Sequence, residues 1–189
     1  KKLLPFLFLA SLLAFSSCDK DDDDNSNDQI LRYDGAQANA PDFGPGNFVM
    51  AVRFPANVTE PFTDSLLTEI EFYVQQPPNN LRVRVYGAGM NGNPGPQLYE
   101  STPLTALVES DSWYTHILTE DITITGEELW IAVAYSSDGQ LRAIGCDSGP
   151  RQGNGDYVLQ ESLNEWQTFF ERTNQAESVN WNIRAKAGR

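Results

Sequence analysis

An all-β fold, an antiparallel jelly-roll β-sandwich of roughly eight to ten strands, is predicted by three features of the sequence. Hydrophobic residues recur mostly with a period of two, the spacing that puts one face of a strand in a core. Clusters of turn-forming residues punctuate the chain, among them Gln76-Pro77-Pro78-Asn79-Asn80, Asn91-Gly92-Asn93-Pro94-Gly95 and Ser148-Gly149-Pro150. No stretch keeps a helical period long enough to serve as a crossover between parallel strands.

The elements follow in order. Asn47 to Phe54 reads as a strand stopped by Pro55, and Leu67 to Val74 as a second with Ile70, Phe72 and Val74 on one face. Leu81, Val83 and Val85 alternate with Arg82, Arg84 and Tyr86 in a third. The second and third strands are predicted to form a hairpin with Gln75 to Asn80 as its loop. That register sets Glu71 opposite Arg84 and Tyr73 opposite Arg82 outside, with Phe72 against Val83 inside. Further strands are expected at Gln97 to Thr102, Trp113 to Leu118, Glu128 to Ser136, Leu141 to Cys146, Tyr157 to Gln160, Trp166 to Phe169 and Val179 to Ala185. In the last of these Val179, Trp181 and Ile183 point inward, and Asn180, Asn182 and Arg184 point to solvent or a neighbouring loop.

The first residues have a different character. Lys1 and Lys2 precede an apolar run from Leu3 to Phe15, followed by Ser16, Ser17 and Cys18. The run is too short to span a bilayer and has the layout of an export signal. The segment Leu12-Leu13-Ala14-Phe15-Ser16-Ser17-Cys18 resembles a bacterial lipoprotein signal, which implies that Cys18 is acylated and becomes the mature N-terminus, anchored in a membrane. Residues 19–29, with Asp21, Asp22, Asp23 and Asp24 at their heart, read as a disordered acidic tether. The same aspartates resemble the surface-export signal of Bacteroidetes lipoproteins, which implies a location on the outer membrane facing the cell exterior. The division is therefore 1–18 signal, 19–29 tether and 30–189 a single sandwich domain.

Composition narrows the partners. The 189-residue chain has a formal charge of −13, and loss of residues 1–18, which hold two lysines and no acid, leaves −15. Such a surface does not neutralise phosphates, so nucleic acid is excluded as a partner, and no basic patch is available for anionic lipid headgroups. Once Cys18 is modified, Cys146 has no cysteine to pair with and reads as a small buried residue.

Several segments together resemble a known module. Leu31-Arg32-Tyr33-Asp34, Ile70-Glu71-Phe72-Tyr73-Val74, Arg82-Val83-Arg84-Val85-Tyr86, Glu128-Leu129-Trp130-Ile131, Gly145-Cys146-Asp147-Ser148-Gly149-Pro150 and Val179-Asn180-Trp181-Asn182-Ile183-Arg184-Ala185 are similar to β-sandwich domains of the cleaved-adhesin kind that accompany gingipain-type peptidases. The resemblance implies a jelly roll with an adhesive or ligand-binding role, and structural calcium in some members. Among the residues themselves, Asp147, Asn154 and Asp156 flank a Gly-rich segment that could supply oxygen ligands to calcium, and the same residue types equally serve as turn formers. Trp113, Trp130, Trp166, Tyr73 and Tyr86 offer aromatic faces for a sugar or protein ligand. No phosphate loop, Cys-x-x-Cys, His-Glu-x-x-His or Gly-x-Ser-x-Gly is present. The expectation is a non-enzymatic, surface-anchored lipoprotein that binds a glycan or protein. An accessory subunit of an outer-membrane assembly is the alternative, and a small hydrolase comes third, for which a Cys146 and His116 nucleophile pair or two paired carboxylates would be the material. Metabolic labelling with a fatty-acid probe is expected to mark the native protein and not Cys18→Ala; equal labelling of both rejects the anchor.

Overall fold

The alternation of the sequence is carried into the computed structural model, which describes residues 29–188. Cys18, Asp21, Asp22, Asp23 and Asp24 lie outside the described residues. The described chain forms β1 (Gln29–Leu31), β2 (Gly46–Phe54), a short helix α1 (Ala56–Thr59), β3 (Leu66–Val74), β4 (Asn79–Tyr86), β5 (Gln97–Glu100) and β6 (Ser112–Thr123). It continues through β7 (Leu129–Ser137), β8 (Tyr157–Gln160), β9 (Glu165–Thr168), α2 (Phe169–Arg172) and β10 (Ile183–Gly188). Gln29, assigned from sequence to the tether, already pairs with Ala187.

Two antiparallel sheets result, one in the order β1-β10-β3-β6 and the other β5-β4-β7-β2-β8-β9. The first sheet together with β5-β4-β7-β2 has the strand order of a jelly roll, and the β8–β9 hairpin is an addition that extends the second sheet beyond β2. Inward residues at every second position fill the space between the sheets: Phe48, Met50 and Val52 of β2, Ile70 and Phe72 of β3, and Val83 of β4 are all at or below 1 % exposure.

The predicted β3–β4 hairpin is overturned. β3 pairs with β6 and β10, whereas β4 pairs with β5 and β7 in the opposite sheet. Phe72 and Val83 do both enter the core, but from opposite sides of it. Pro77 and Pro78 lie in the link that carries the chain over the rim, and neither has an N–H for a hairpin ladder. The outward charges find other partners: Lys186 bridges Glu69 and Glu71, and Arg84 bridges Glu100 and Glu161. Alternation fixes which face a side chain takes and leaves the neighbouring strand open.

Two further strands are shifted. Leu141 to Cys146 makes only isolated bridges, Ile144 with Val74 and Cys146 with Asn39 and Trp181. The terminal strand begins later than predicted, at Ile183, and Trp181 precedes it. Val179, Trp181 and Ile183 are buried as expected, while Asn180 and Asn182 are buried against loops at 1 % and 0 % exposure. The helix α2 was not predicted, although its Thr168-Phe169-Phe170-Glu171 start is a capping box in which the Glu171 amide donates to Thr168 Oγ1 and the Thr168 amide to Glu171 Oε2.

Trp181 packs on Phe169 with ring centroids 5.3 Å apart, and its indole N–H donates to the Tyr157 carbonyl at 2.7 Å. Trp181→Ala is expected to lower stability by about 3–5 kcal/mol, read as a lower urea midpoint, whereas Leu163→Ala, on an exposed hairpin tip, is expected to leave the midpoint near that of the parent.

Candidate functional site

The outer face of the six-stranded sheet is built around small residues. Val49 and Ala51 of β2 and Ala132 and Ala134 of β7 point outward, yet none exceeds 4 % exposure. They are covered because Tyr86 of β4, Tyr157 and Leu159 of β8 and Trp166 of β9 lean over them. Trp166 lies 5.7 Å from Trp130 and 6.3 Å, edge-on, from Tyr86, so residues of the added hairpin and of β4 meet above two intervening strands. Trp130 meets Tyr157 edge-on with ring centroids 4.6 Å apart, donates its indole N–H to Glu128 Oε1 at 2.7 Å and is fully buried. Trp130, expected from sequence as a ligand-binding aromatic, is therefore a packing residue: its outward position in β7 is roofed by its neighbours.

Toward the hairpin tip the groove becomes polar. Asn47, Asn80, Ser136, Arg84 and Glu161, with Ala134 and Tyr135, line a cleft of about 70 Å³. Arg84 spans it, donating through Nε to Glu100 Oε2 at 2.6 Å and through Nη1 to Glu161 Oε1 at 3.0 Å. Burial works against the charge of Arg84, and the bonds to Glu161 and Glu100 outweigh it, so the guanidinium is held charged. Tyr86 and Trp166, both predicted as binding aromatics, are half-buried on the same sheet face, over the apolar floor beside Trp130 and not among the residues that line the cleft. Of its polar residues only Arg84 was singled out in the sequence, by its outward alternation; Asn47, Asn80, Ser136 and Glu161 carry no local motif and are assembled by four separate segments.

The other two predicted aromatics meet on the outer face of the four-stranded sheet. Tyr73 and Trp113 are opposite each other in β3 and β6, with an edge-on ring contact at 5.7 Å. Arg184 of β10 lies over the Trp113 ring at 4.0 Å. Its guanidinium is fixed by Asp34, whose side chain is wholly buried and also accepts Asn182 Nδ2 at 2.8 Å. Gly145 lets Tyr73 lie close, since a Cβ there would sit 2.8 Å from Tyr73 Cδ1. Trp113 is 38 % exposed.

Asp147, Asn154 and Asp156 do not fit a calcium site. The Asp147 carboxylate accepts the amides of Gly35, Gly149 and Asn180 and the Asn180 side chain, all within 2.9 Å. Asp156 is paired with Arg151 and accepts the Phe170 amide, and Asn154 takes the Arg53 amide on its carbonyl. With the oxygens of both carboxylates taken up by N–H donors, the set closes loops onto the C-terminal segment. No cluster of three His, Cys, Asp or Glu residues suited to a metal occurs among the described residues. Cys146 and His116 do not form a nucleophile pair either. The Cys146 thiol is buried and pushed up to about 12, chiefly by burial, while His116 Nε2 is hydrogen-bonded to Tyr99 Oη at 2.8 Å.

No protein-family model and no curated protein matches the chain. In structure it is similar to the crystal structure of the cysteine protease and lectin-like domains of Cwp84, a surface layer associated protein of Clostridium difficile, with a TM-score of 0.55 and 14 % identity over 86 % of this chain. The chain spans 36 % of the length of that protein. The likeness establishes a fold shared with a known structure, an all-β sandwich.

Burial raises the Asp147 carboxyl, but the hydrogen bonds from Asn180, Gly35 and Gly149 outweigh it and hold it below its ordinary value. A depressed carboxyl stabilises the fold above its unfolded value and loses that contribution as pH falls through the folded value. Asp156, raised by burial despite Arg151, titrates in parent and variant alike and cancels in their comparison. The stability gap between parent and Asp147→Asn is thus expected to be widest at neutral pH and to close below about pH 4, measured by urea midpoints across the acid range.

Proposed function

We propose that this chain is a non-catalytic binding module of the cell exterior that takes a neutral glycan on the outer face of its six-stranded sheet. The observation that carries this reading is the cleft of Asn47, Asn80, Ser136, Arg84 and Glu161, on the same sheet face as the half-buried rings of Tyr86 and Trp166. Amide, hydroxyl and charged groups that donate and accept in alternation suit sugar hydroxyls, and the face of an aromatic ring suits the apolar face of a pyranose. Arg84 is balanced by Glu100 and Glu161, and the chain carries −13 overall, both of which favour an uncharged ligand over an anionic one. The lectin-like neighbour agrees with a binding role at the level of fold.

The strand register supports outward presentation. Gln29, where the described chain begins, shares a sheet end with Ala187 and Leu67, whereas Asn47, Asn80, Ser136 and Glu161 sit at the opposite end of the sandwich. β3, with nine residues, separates the two ends by roughly 30 Å. A lipid on Cys18 with an acidic spacer would hold the first end to an outer membrane and turn the cleft away from it. On a glycan array the protein is expected to bind neutral saccharides, and Asn47→Ala and Glu161→Gln are expected to weaken that binding by about tenfold or more while the urea midpoint is kept. Binding that persists undiminished in both variants, or an array without any bound saccharide, rejects the reading.

A further inference from the structure

The β5 and β6 side of the sandwich combines three properties. Between Arg84 and Arg142 the sequence contains no Lys or Arg and eight carboxylates. Glu100 and Glu128 are matched by arginines, whereas Glu109, Asp111, Glu120, Asp121 and Glu127 lie in no ion pair among the described residues. From the same stretch come Met90, Leu98, Leu107, Trp113 and Ile117, five of the seven large apolar side chains exposed among the described residues.

The third property is an open strand edge. Among the described residues β6, twelve residues long, pairs with β3 alone and ends its sheet. Tyr73 gives its N–H to the Asn182 carbonyl and accepts the Gly145 N–H, so its backbone faces away from β6. By the alternation of an antiparallel ladder, Phe72 and Ile70 face β6, and their partners Tyr114 and His116 spend their amides on β3. Trp113, Thr115 and Ile117 then turn their N–H and C=O groups to the open side, and the side chains of Trp113 and Ile117 are exposed on the outer sheet face. A long edge carrying exposed apolar side chains is a template for another strand.

Charge selects the occupant. A second copy would bring the same carboxylates against themselves, and an anionic membrane or polysaccharide would be repelled. We infer that the open edge of β6 takes an extended, Lys- or Arg-bearing segment of a partner protein as an added strand. Its backbone pairs with Trp113, Thr115 and Ile117, its apolar side chains lie on Trp113 and Ile117, and its cations meet Asp111, Glu120 and Asp121. This surface lies on a different sheet from the glycan cleft and stands or falls separately from it.

The test is selection of the full chain against a random-peptide display library, followed by binding measurements with the leading synthetic peptide. Recovered peptides are expected to be rich in Lys, Arg and β-branched residues, to protect the amides of Trp113, Thr115 and Ile117 from hydrogen exchange, and to bind less as salt is raised. Ile117→Lys, or Glu120→Lys with Asp121→Lys, is expected to weaken the peptide by about tenfold, since each change puts a like charge in its path. Thr115→Pro, which deletes an outward N–H on an edge strand, is expected to abolish binding. Failure to recover any peptide, recovery without a basic bias, binding that leaves these amides unprotected, or self-association of the protein that Thr115→Pro abolishes would each overturn the inference.

Discussion

Everything in this sandwich depends on the wedging of β10 between β1 and β3. Among the described residues β10 is the only ladder partner of β1 and one of two partners of β3, and its pairs join residues more than a hundred positions apart. Forming them closes a loop of nearly the whole described chain, an entropic cost that local contacts do not offset. The compensation is concentrated just ahead of β10, where Trp181 enters the core and the asparagines on either side enter polar loops. Asn180 reaches Asp147, and Asn182 reaches Asp34. A buried amide that must find a carboxylate tolerates no slip of one residue, because a slip would exchange the tryptophan and asparagine faces. The polar contacts thus set the register, and the apolar ones supply the stability.

The hairpin β8–β9 illustrates how a cleft can be grown on the outer face of a jelly roll. An outer sheet face floored by alanine and valine has side chains too short to shield that floor from water. Trp166 and Leu159, supplied by the added hairpin, cover that floor, and Glu161 beyond them reaches across to Arg84. The hairpin depends on β2 for its ladder and on this cover for its position. One set of contacts therefore both attaches the hairpin and shapes the cleft, so the groove is a product of packing rather than an ornament on it.

How much of this could be read in the sequence follows from the range of each signal. The fold class, the inward faces of β3 and β4 and the burial of Trp181 were legible because period-two alternation is local, whereas the continuous apolar runs of β2 and β7 do not tell one face from the other. The partner of each strand was not: Leu67 to Val74 and Leu81 to Tyr86 look like a hairpin in every local respect, and only the competition of β6, β10, β5 and β7 for their edges separates them. Tyr73 with Trp113, and Tyr86 with Trp166, were found as residues and not as pairs. Trp130 looked like its exposed counterparts because its roof comes from strands far along the chain. Asp147 and Asp156 had the composition of a cation loop, and their true partners, Asn180 and Arg151, were visible only as a polar residue in a strand and a charge in a turn.

The shortest strand of the sandwich has a mechanical meaning. β1 runs along the long axis of its sheet and is held by three residue pairs to β10, with Leu31 as its buried plug. Tension drawn from ahead of Gln29 and resisted at the cleft end loads those pairs in shear, and they yield before the nine-residue β3. Release then stops at Asp34, whose carboxylate is clamped by Arg184 and Asn182 inside the protein. The result is a mechanical fuse rather than a spring: β1 already lies extended along the pull, so its release breaks three residue pairs and adds little length, while the clamp at Asp34 keeps the load off β3 and the cleft end.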